Sequence, residues 1–314
     1  MHSERGEAWG VVTAGVHGLG RAISERLAAD GLSVMATTRH PGAASAAWAA
    51  GVSEQSGVLV RVVAWDPARP DSDAGVLERL RQDAQAVRVL VNNAGPFHRK
   101  RQPLADVAPE ALAQLWEGNV AGGMRLTQQL LPWLRARGDG RIVNLGCVGS
   151  GAASGWTGRG AYAAAKAAVA SLTRTWALEE APYGITANMV CPSDVHARDK
   201  ERADFGRHRP HGADVAELVA FFAGPGSRFV TGQVVEMAFG DRPRLKPGER
   251  TLSPAADLLP QGAQVRLARE GEIYEVVDVR TEGAAVEYLV RPPVGEPRWV
   301  AGSRVRRLVG SSPP

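Results

Sequence analysis

The 314-residue sequence contains few cysteines and no long apolar run. Its two cysteines, Cys147 and Cys191, are too few for a disulfide framework or a cysteine-rich zinc site, so we expect a reducing compartment and no metal centre. No apolar stretch approaches the roughly 18 residues of a membrane span, and residues 1–10 are too polar for a secretory signal. Together these absences predict a cytoplasmic protein that does not enter a membrane.

Lysine is also scarce, because only four of the 37 basic residues are lysines and the others are arginines. The net charge of +4 is small and the basic residues are spread along the chain, so we expect no nucleic-acid partner. Hydrophobic residues make up 44% of the chain and charged residues 22%, as in ordinary globular proteins. At about 150 residues per domain, the length predicts one large domain, with or without a small additional module.

Two regions of the sequence follow different patterns. From Trp9 to about Gly240, short apolar runs alternate with helical stretches, which predicts βαβ units and a doubly wound parallel sheet, an α/β fold. The runs that predict strands are 11–13, 32–37, 58–64, 87–91, 141–145, 185–190 and 233–237, and the helical stretches are 21–30, 73–86, 109–136, 160–181 and 213–223.

The region after residue 240 is first proline-rich and then β-rich. Residues 241–262 contain four prolines and predict a semi-rigid linker. Residues 263–309 predict a small all-β module of about five strands, an SH3-like barrel, which we expect to make docking or oligomer contacts. Its β-rich runs are 265–267, 273–279, 285–290 and 299–300. We expect residues 310–314 to form a disordered tail.

A glycine-rich motif follows the first predicted strand and opens a helix. Its sequence, T-A-G-V-H-G-L-G over residues 13–20, lets the backbone approach a pyrophosphate at the helix N-terminus. The residues that we expect to contact a cofactor there are Thr13, Gly15, His17, Gly18, Leu19 and Gly20. Such a loop is also compatible with a structural turn, so other motifs must decide.

Three further motifs lie in the same region. The sequence N-N-A-G over residues 92–95 ends the fourth predicted strand. Tyr162 and Lys166 are four residues apart, hence on one face of a predicted helix, and Asn119 lies in the preceding long helix. In this order the four motifs resemble the short-chain dehydrogenase/reductase family over about residues 8–240, and its 3-oxoacyl-[acyl-carrier-protein] reductases in particular.

The resemblance implies a Rossmann fold with a seven-stranded parallel sheet over residues 1–240, a nicotinamide cofactor and a homo-oligomer, either a dimer or a tetramer. It also implies that Asp66 contacts the adenine, although an Asp before a proline is equally compatible with a turn. Asn119 would link Lys166 to solvent through a water molecule. The further residues that the family pattern places at the cofactor are Asn93, Ala94, Gly95, Tyr162, Lys166, Pro192 and Val195.

The end of the second predicted strand carries no carboxylate. NAD-preferring enzymes place one there to bind the ribose 2′-hydroxyl, whereas here Thr38 occupies this place and Arg39 follows. A guanidinium pairs well with a 2′-phosphate, and a protonated His17 would assist it. We therefore predict NADP rather than NAD, against the alternative that Arg39 is a solvated loop residue.

Tyr162 and Lys166 have complementary roles in a carbonyl reduction. The reaction needs a hydride, and it needs a proton for the developing alkoxide. The pKa of a free tyrosine is about 10, and a neighbouring ammonium lowers it. We therefore expect Lys166 to lower the pKa of Tyr162 and Tyr162 to act as the general acid. Lys166 is also suited to binding the ribose hydroxyls next to the nicotinamide.

The sequence departs from the family pattern at the catalytic serine and in the glycine loop. Cys147 stands where the serine is expected, and Ser150 follows three residues later. Three hypotheses stay open: Ser150 replaces the serine, Cys147 takes its role with a weaker thiol donor, or the protein has changed its substrate or lost activity. Ala14 stands where the first loop glycine is expected, so either it adopts a strained positive φ or the loop shifts. Trp156 is a candidate pocket wall.

The sequence therefore predicts an NADP-dependent oxidoreductase that reduces a ketone. The expected substrate is a 3-oxoacyl group or a related small ketone, either a small molecule or bound to a carrier. The alternative is a catalytically weakened member of the family that senses NADP and acts as a binding or regulatory protein through its C-terminal module.

Overall fold

The structure is a computed structural model in which the chain forms two compact units, Met1–Arg242 and Pro243–Pro314. The residues that it describes are 8–84, 86–97, 101–193, 195, 210–237, 264–267, 273–282, 285–293, 295–301 and 305–307. The predicted linker, 241–262, and the predicted tail, 310–314, lie outside the described residues.

The first unit contains a seven-stranded sheet in which all neighbouring strands are parallel. The strands are β1 (Ala8–Val12), β2 (Ser33–Thr38), β3 (Val60–Ala64), β4 (Ala86–Asn92), β5 (Arg141–Leu145), β6 (Thr186–Pro192) and β7 (Val234–Met237), in the order β3-β2-β1-β4-β5-β6-β7. This is the order of a doubly wound sheet, and it confirms the predicted Rossmann fold.

Helices cover both faces of this sheet. They are α1 (Gly18–Ala29), α2 (Ala43–Ser56), α3 (Asp73–Asp83), α4 (Pro109–Trp116), α5 (Gly122–Arg137), α6 (Gly160–Glu179) and α7 (Gly212–Ala223). A π-helical turn, Glu117–Ala121, joins α4 to α5, and such turns are frequent at functional sites. Among the described helices, none is long and apolar enough to cross a membrane.

The central strand β1 divides the core into two halves, because alternate residues of a strand point to opposite faces. On one face Trp9 packs with Leu80 of α3 and Leu126 of α5. On the other face Val12 packs with Ile23 of α1. All five residues of β1 are buried, as expected for a parallel strand covered on both sides. β1 is therefore a packing element, and polar functional groups follow it only after its carboxyl end.

Sequence patterning does not predict α2. Its 14 residues are mostly alanine and small polar residues without a helical period of apolar side chains, and Ala49 is the only one of them that is buried. The high intrinsic helix propensity of alanine explains why the segment is helical.

The described part of the second unit is an antiparallel sheet of five strands. The strands are β8 (Gln264–Leu267), β9 (Ile273–Glu282), β10 (Ala285–Arg291), β11 (Arg298–Ala301) and β12 (Val305–Arg307), in the order β11-β10-β9-β8-β12. Its buried core consists of Val265, Tyr274, Val276, Tyr288, Val290, Val300 and Val305. A small all-β module is thus confirmed, whereas its SH3-like character stays a prediction.

Candidate active site

The cofactor end of the site lies where the strand order reverses, at the carboxyl ends of β1 and β4. The buried hydroxyl of Thr13 accepts the backbone N–H groups of Asn93 at 2.8 Å and Ala94 at 2.9 Å. It donates to the carbonyl oxygen of Val91 at 3.2 Å. In return, Nδ2 of Asn93 donates to the carbonyl oxygen of Thr13 at 3.0 Å. These hydrogen bonds therefore connect the glycine-rich loop after β1 to the N-N-A-G loop after β4.

The glycines of the first loop have different roles. A Cβ on Gly20 would collide with the carbonyl oxygen of Ala14, and a Cβ on Gly15 would lie 2.9 Å from Oγ of Ser24. These two glycines allow close packing within the loop. Gly18 has a φ of +51° and open space where a Cβ would project. It leaves room for a ligand at the N-terminus of α1.

Ala14 adopts the strained conformation, with a φ of +50°. Its N–H donates to Oγ1 of Thr37 at 3.1 Å, and its carbonyl oxygen accepts from Nδ2 of Asn93 at 3.3 Å. For a residue with a Cβ, the left-handed conformation costs about 1 kcal/mol. These two hydrogen bonds hold Ala14 in that conformation. Of the two alternatives for this position, the structure therefore shows the positive φ.

A cavity of about 780 Å³ opens at this end of the site. Eight of the predicted cofactor residues line it: His17, Leu19, Gly20, Arg39, Asp66, Asn93, Ala94 and Gly95. His40, Pro96 and Gln114 also line it and were not predicted. His40 was detectable as the residue after Arg39, whereas Gln114 lies on α4 and only the fold brings it here. The volume suits an organic cofactor.

The charge of the cavity is set at the end of β2. Thr38 lines it where a carboxylate would select NAD, and the exposed side chains of Arg39 and His17 line it as well. Asp66 has both of its expected features, because it lines the cavity and its Oδ1 accepts the N–H of Ala68 at 3.0 Å in a turn.

Two predicted cofactor residues follow β6 instead. Pro192 is the buried last residue of that strand. Val195 is half-buried and packs against the core on the α1 face of the sheet. Neither lines the 780 Å³ cavity, so their contact with a nicotinamide stays a prediction.

The chemical end of the site is centred on α6. Nζ of Lys166 lies 5.7 Å from the centre of the Tyr162 ring and donates to the carbonyl oxygen of Leu145 at 2.9 Å. Lys166 is 4% exposed, and burial lowers its pKa to about 8. The structure therefore brings together the two residues whose spacing predicted a common helix face.

The pKa of Tyr162 differs from the expectation. Burial raises the pKa of the phenol above its ordinary value, the Cys147 thiol adds to the rise, and the positive charge of Arg159 opposes it. The predicted lowering by Lys166 is therefore wrong for the chain by itself, because the loss of hydration outweighs the opposing charge of Arg159. The phenol is held in its protonated form.

Cys147 and Ser150 form one buried turn. Oγ of Ser150 donates to the carbonyl oxygen of Cys147 at 2.6 Å and accepts its N–H at 3.1 Å. Sγ of Cys147 lies 3.4 Å from the same hydroxyl. Burial raises the pKa of Cys147 and raises that of the nearby Cys191 to about 12, so both thiols are protonated and neither is a ready nucleophile.

Asn119 lies in the π-helical turn. Its Nδ2 donates to the carbonyl oxygens of Pro96 and Leu115, each at 3.0 Å, while its buried Oδ1 has no hydrogen-bond partner among the described residues. A cavity of about 20 Å³, lined by Asn119, Lys166 and other polar residues, lies beside it. This volume is large enough for one water molecule, which supports the predicted link from Asn119 to Lys166.

Aromatic side chains surround Tyr162. The ring of Phe97 packs edge-on at 5.0 Å between centres, and that of Trp156 at 6.4 Å. The guanidinium carbon of Arg159 lies 4.3 Å from the centre of Phe97 and 5.1 Å from that of Trp156. The sequence singled out Trp156 as a pocket wall but missed Phe97 and Arg159, although Arg159 precedes Tyr162 by three residues, less than one helical turn.

Comparison with known proteins agrees with this geometry. The family model for short chain dehydrogenases matches residues 9–204. The chain belongs to the short-chain dehydrogenase family. This membership makes the first unit an oxidoreductase of a family that uses a nicotinamide cofactor.

Individual relatives are matched over nearly their whole length. The chain is 35% identical over 243 residues to YtkK of Bacillus subtilis strain 168, named as a candidate oxidoreductase, which covers 73% of this chain and 94% of the relative. It is 31% identical over 241 residues to the 3-oxoacyl-[acyl-carrier-protein] reductase FabG of Escherichia coli K12, covering 73% and 95%. A solved structure described as a candidate 3-oxoacyl-reductase from Bacillus thuringiensis has a TM-score of 0.67 at 32% identity, covering 73% and 96%.

Proposed function

We propose that the protein is an NADP-dependent reductase that converts a ketone into a secondary alcohol. The substrate would be a 3-oxoacyl group or a related small ketone, free or bound to a carrier. The observation that carries this proposal is the contact of half-buried Tyr162 with buried Lys166 beside the Cys147 turn, at the same sheet edge as the dinucleotide-sized cavity.

The cavity residues fit a phosphorylated dinucleotide. Open space above Gly18 and the N-terminus of α1 suit a pyrophosphate, and the guanidinium of Arg39, which a protonated His17 would assist, suits a 2′-phosphate. Bound NADPH would supply the hydride. Lys166 would hold the ribose hydroxyls next to the nicotinamide.

The proton for the alkoxide would come from Tyr162. Because burial raises its pKa, the phenol is protonated at neutral and moderately alkaline pH, which is the form that a general acid needs. Alcohol oxidation would need the phenolate as a base, so the same shift favours the reductive direction. Lys166, connected through a water molecule at Asn119, would return the proton.

The carbonyl oxygen would be contacted by Cys147 rather than by Ser150. The hydroxyl proton of Ser150 is already donated to the carbonyl oxygen of Cys147 at 2.6 Å, so this side chain is committed to the turn. The thiol of Cys147 lies on the same turn, and it contributes to the raised pKa of Tyr162. Because a thiol is a weak donor, we expect a modest turnover number.

The homo-oligomer expected for the family stays part of the proposal. The α4–α5 segment carries Leu112 and Trp116, which are 40% and 51% exposed in the single chain. Exposed apolar side chains of this size favour burial against a second copy. Light scattering after gel filtration would report the number of copies.

The proposal is tested with NADPH and a panel of small ketones, including 3-oxoacyl esters and thioesters. Oxidation of NADPH at 340 nm that depends on a ketone supports it. Tight NADPH binding without turnover on any ketone would overturn it and would favour the alternative, a protein that senses NADP and signals through its C-terminal module.

A further inference from the structure

We propose that Arg159 is a specificity-determining residue that binds a carboxylate of the substrate, so that the preferred substrate is an oxo acid. This inference rests on the proposed reduction of a ketone. It narrows the substrate from ketones in general to those that carry a free carboxylate a few bonds from the reacting carbonyl.

The stacking of Arg159 leaves only its edge for a ligand. Its guanidinium carbon lies 4.3 Å from the centre of the Phe97 ring and 5.1 Å from that of Trp156. Aromatic rings interact with the flat faces of a guanidinium, whereas its N–H groups point outward in the plane. A planar guanidinium held in this way is suited to a bidentate bond with a planar carboxylate.

The hydrogen-bonding capacity of Arg159 is unused within the described part of the chain. Its Nε is buried and has no acceptor, and no described carboxylate pairs with the guanidinium. Four other arginines also have a buried nitrogen without a hydrogen-bond acceptor, but the guanidinium of each pairs with a carboxylate or donates to a carbonyl oxygen in the protein: Arg26, Arg61, Arg88 and Arg141. Arg159 therefore differs from them, and a buried N–H without an acceptor is unfavourable.

Arg159 and the proposed proton donor, Tyr162, contact the same two aromatic rings. Phe97 and Trp156, the rings that hold Arg159, also pack on the Tyr162 ring at 5.0 and 6.4 Å. Arg159 immediately precedes α6, whose N-terminal end adds positive potential. The charge of Arg159 also acts on the phenol and opposes the rise in its pKa. An anion bound here would lie on the same aromatic wall as the proton donor.

The test compares oxo acids with their methyl esters, which keep the ketone but lose the charge. The series of 2-oxo, 3-oxo and 4-oxo acids places the carboxylate at increasing distances from the carbonyl. We expect kcat/KM for the best acid to exceed that for its ester by at least about tenfold. In Arg159→Gln this ratio should fall at least tenfold, mainly through KM, and Arg159→Lys should recover part of it.

Arg228→Gln is the matched control, since Arg228 also stacks on an aromatic ring, that of Phe229 at 4.9 Å, and lies outside the candidate site. It should leave the ratio unchanged. Thermal melting of each variant shows whether it is folded. An unchanged ratio in folded Arg159→Gln, with esters still reduced, would mean that Arg159 only braces Phe97 and would overturn the inference while the proposed reduction stands.

A failure of the proposed function looks different. In that case the unmodified protein reduces neither acids nor esters. Calorimetric titration of its NADP⁺ complex with the acids then still decides the role of Arg159. Binding that Arg159→Gln weakens at least tenfold supports a carboxylate site, and the absence of binding contradicts it.

Discussion

The two ends of the candidate site are built in different ways. At the cofactor end, backbone geometry dominates, because Thr13 ties β1 to β4 and glycines allow the close approaches. At the chemical end, side chains from separate segments meet, as where Phe97 and Tyr162 pack edge-on at 5.0 Å. The first kind of site is encoded in short contiguous motifs, whereas the second depends on the fold to assemble it.

Arg39→Asp should have the largest effect on cofactor binding and tests the charge of the cofactor end. It replaces a charge-assisted partner of the 2′-phosphate by a like charge, which we expect to weaken NADPH binding by roughly 100-fold, about 3 kcal/mol. NADH has no 2′-phosphate and should be affected several-fold less. Calorimetry with both cofactors measures this difference.

The control for that experiment is Arg81→Asp, which changes the net charge equally at an exposed position on α3. It should leave both affinities unchanged. Equal weakening of NADPH and NADH in Arg39→Asp would contradict the assignment of Arg39 to the phosphate.

Gly20→Ala tests whether backbone packing builds the loop. The added Cβ would collide with the carbonyl oxygen of Ala14, so we expect a cost of about 2 kcal/mol and roughly 30-fold weaker NADPH binding. Gly57→Ala is the control, because a Cβ there also meets open space at a positive φ, and Gly57 does not line the cavity. A loop in which Gly20→Ala binds NADPH as well as Gly57→Ala would not be packed as described.

Cys147→Ser tests the chemical end. A hydroxyl donates a stronger hydrogen bond than a thiol, so we expect kcat/KM for ketones to rise about tenfold, a fraction of what one oxyanion donor contributes. Ser150→Ala should lower it by loosening the turn that the 2.6 Å bond holds. If the serine variant is slower and Ser150→Ala is inactive, the roles of the two residues are the reverse of those proposed.

The pH profile should show a smaller effect of Lys166. Its pKa is lowered to about 8, so the ammonium is present below that pH and is lost above it. If the ammonium returns the proton to Tyr162, kcat for reduction should be level near pH 7 and fall roughly fourfold by pH 8.5. A rate that stays level to pH 9.5 would remove Lys166 from proton return.

The sequence predicts the parts of this protein that depend on local patterns. Apolar runs give the strands of the parallel sheet, and the spacing of Tyr162 and Lys166 places them together. Patterning fails at α2, where alanine propensity acts with only a narrow apolar face of Trp48, Ala49 and Val52. It also fails at the pKa of Tyr162, because burial in the folded chain decides the direction of the shift.

The contact of Arg159 with Phe97 is another feature that local sequence patterns do not predict. This contact joins segments 62 positions apart in the chain. Nothing in either segment alone indicates this pairing. Features of this kind become visible only when the fold has brought the side chains together.

The central claim is that Tyr162 delivers the proton in a ketone reduction, and Tyr162→Phe tests it most directly. Single-turnover mixing of the NADPH complex with a ketone should show hydride transfer slowed by at least about 1,000-fold, with the dissociation constant for NADPH changed less than about threefold. Hydride transfer at an undiminished rate in this variant would contradict the account.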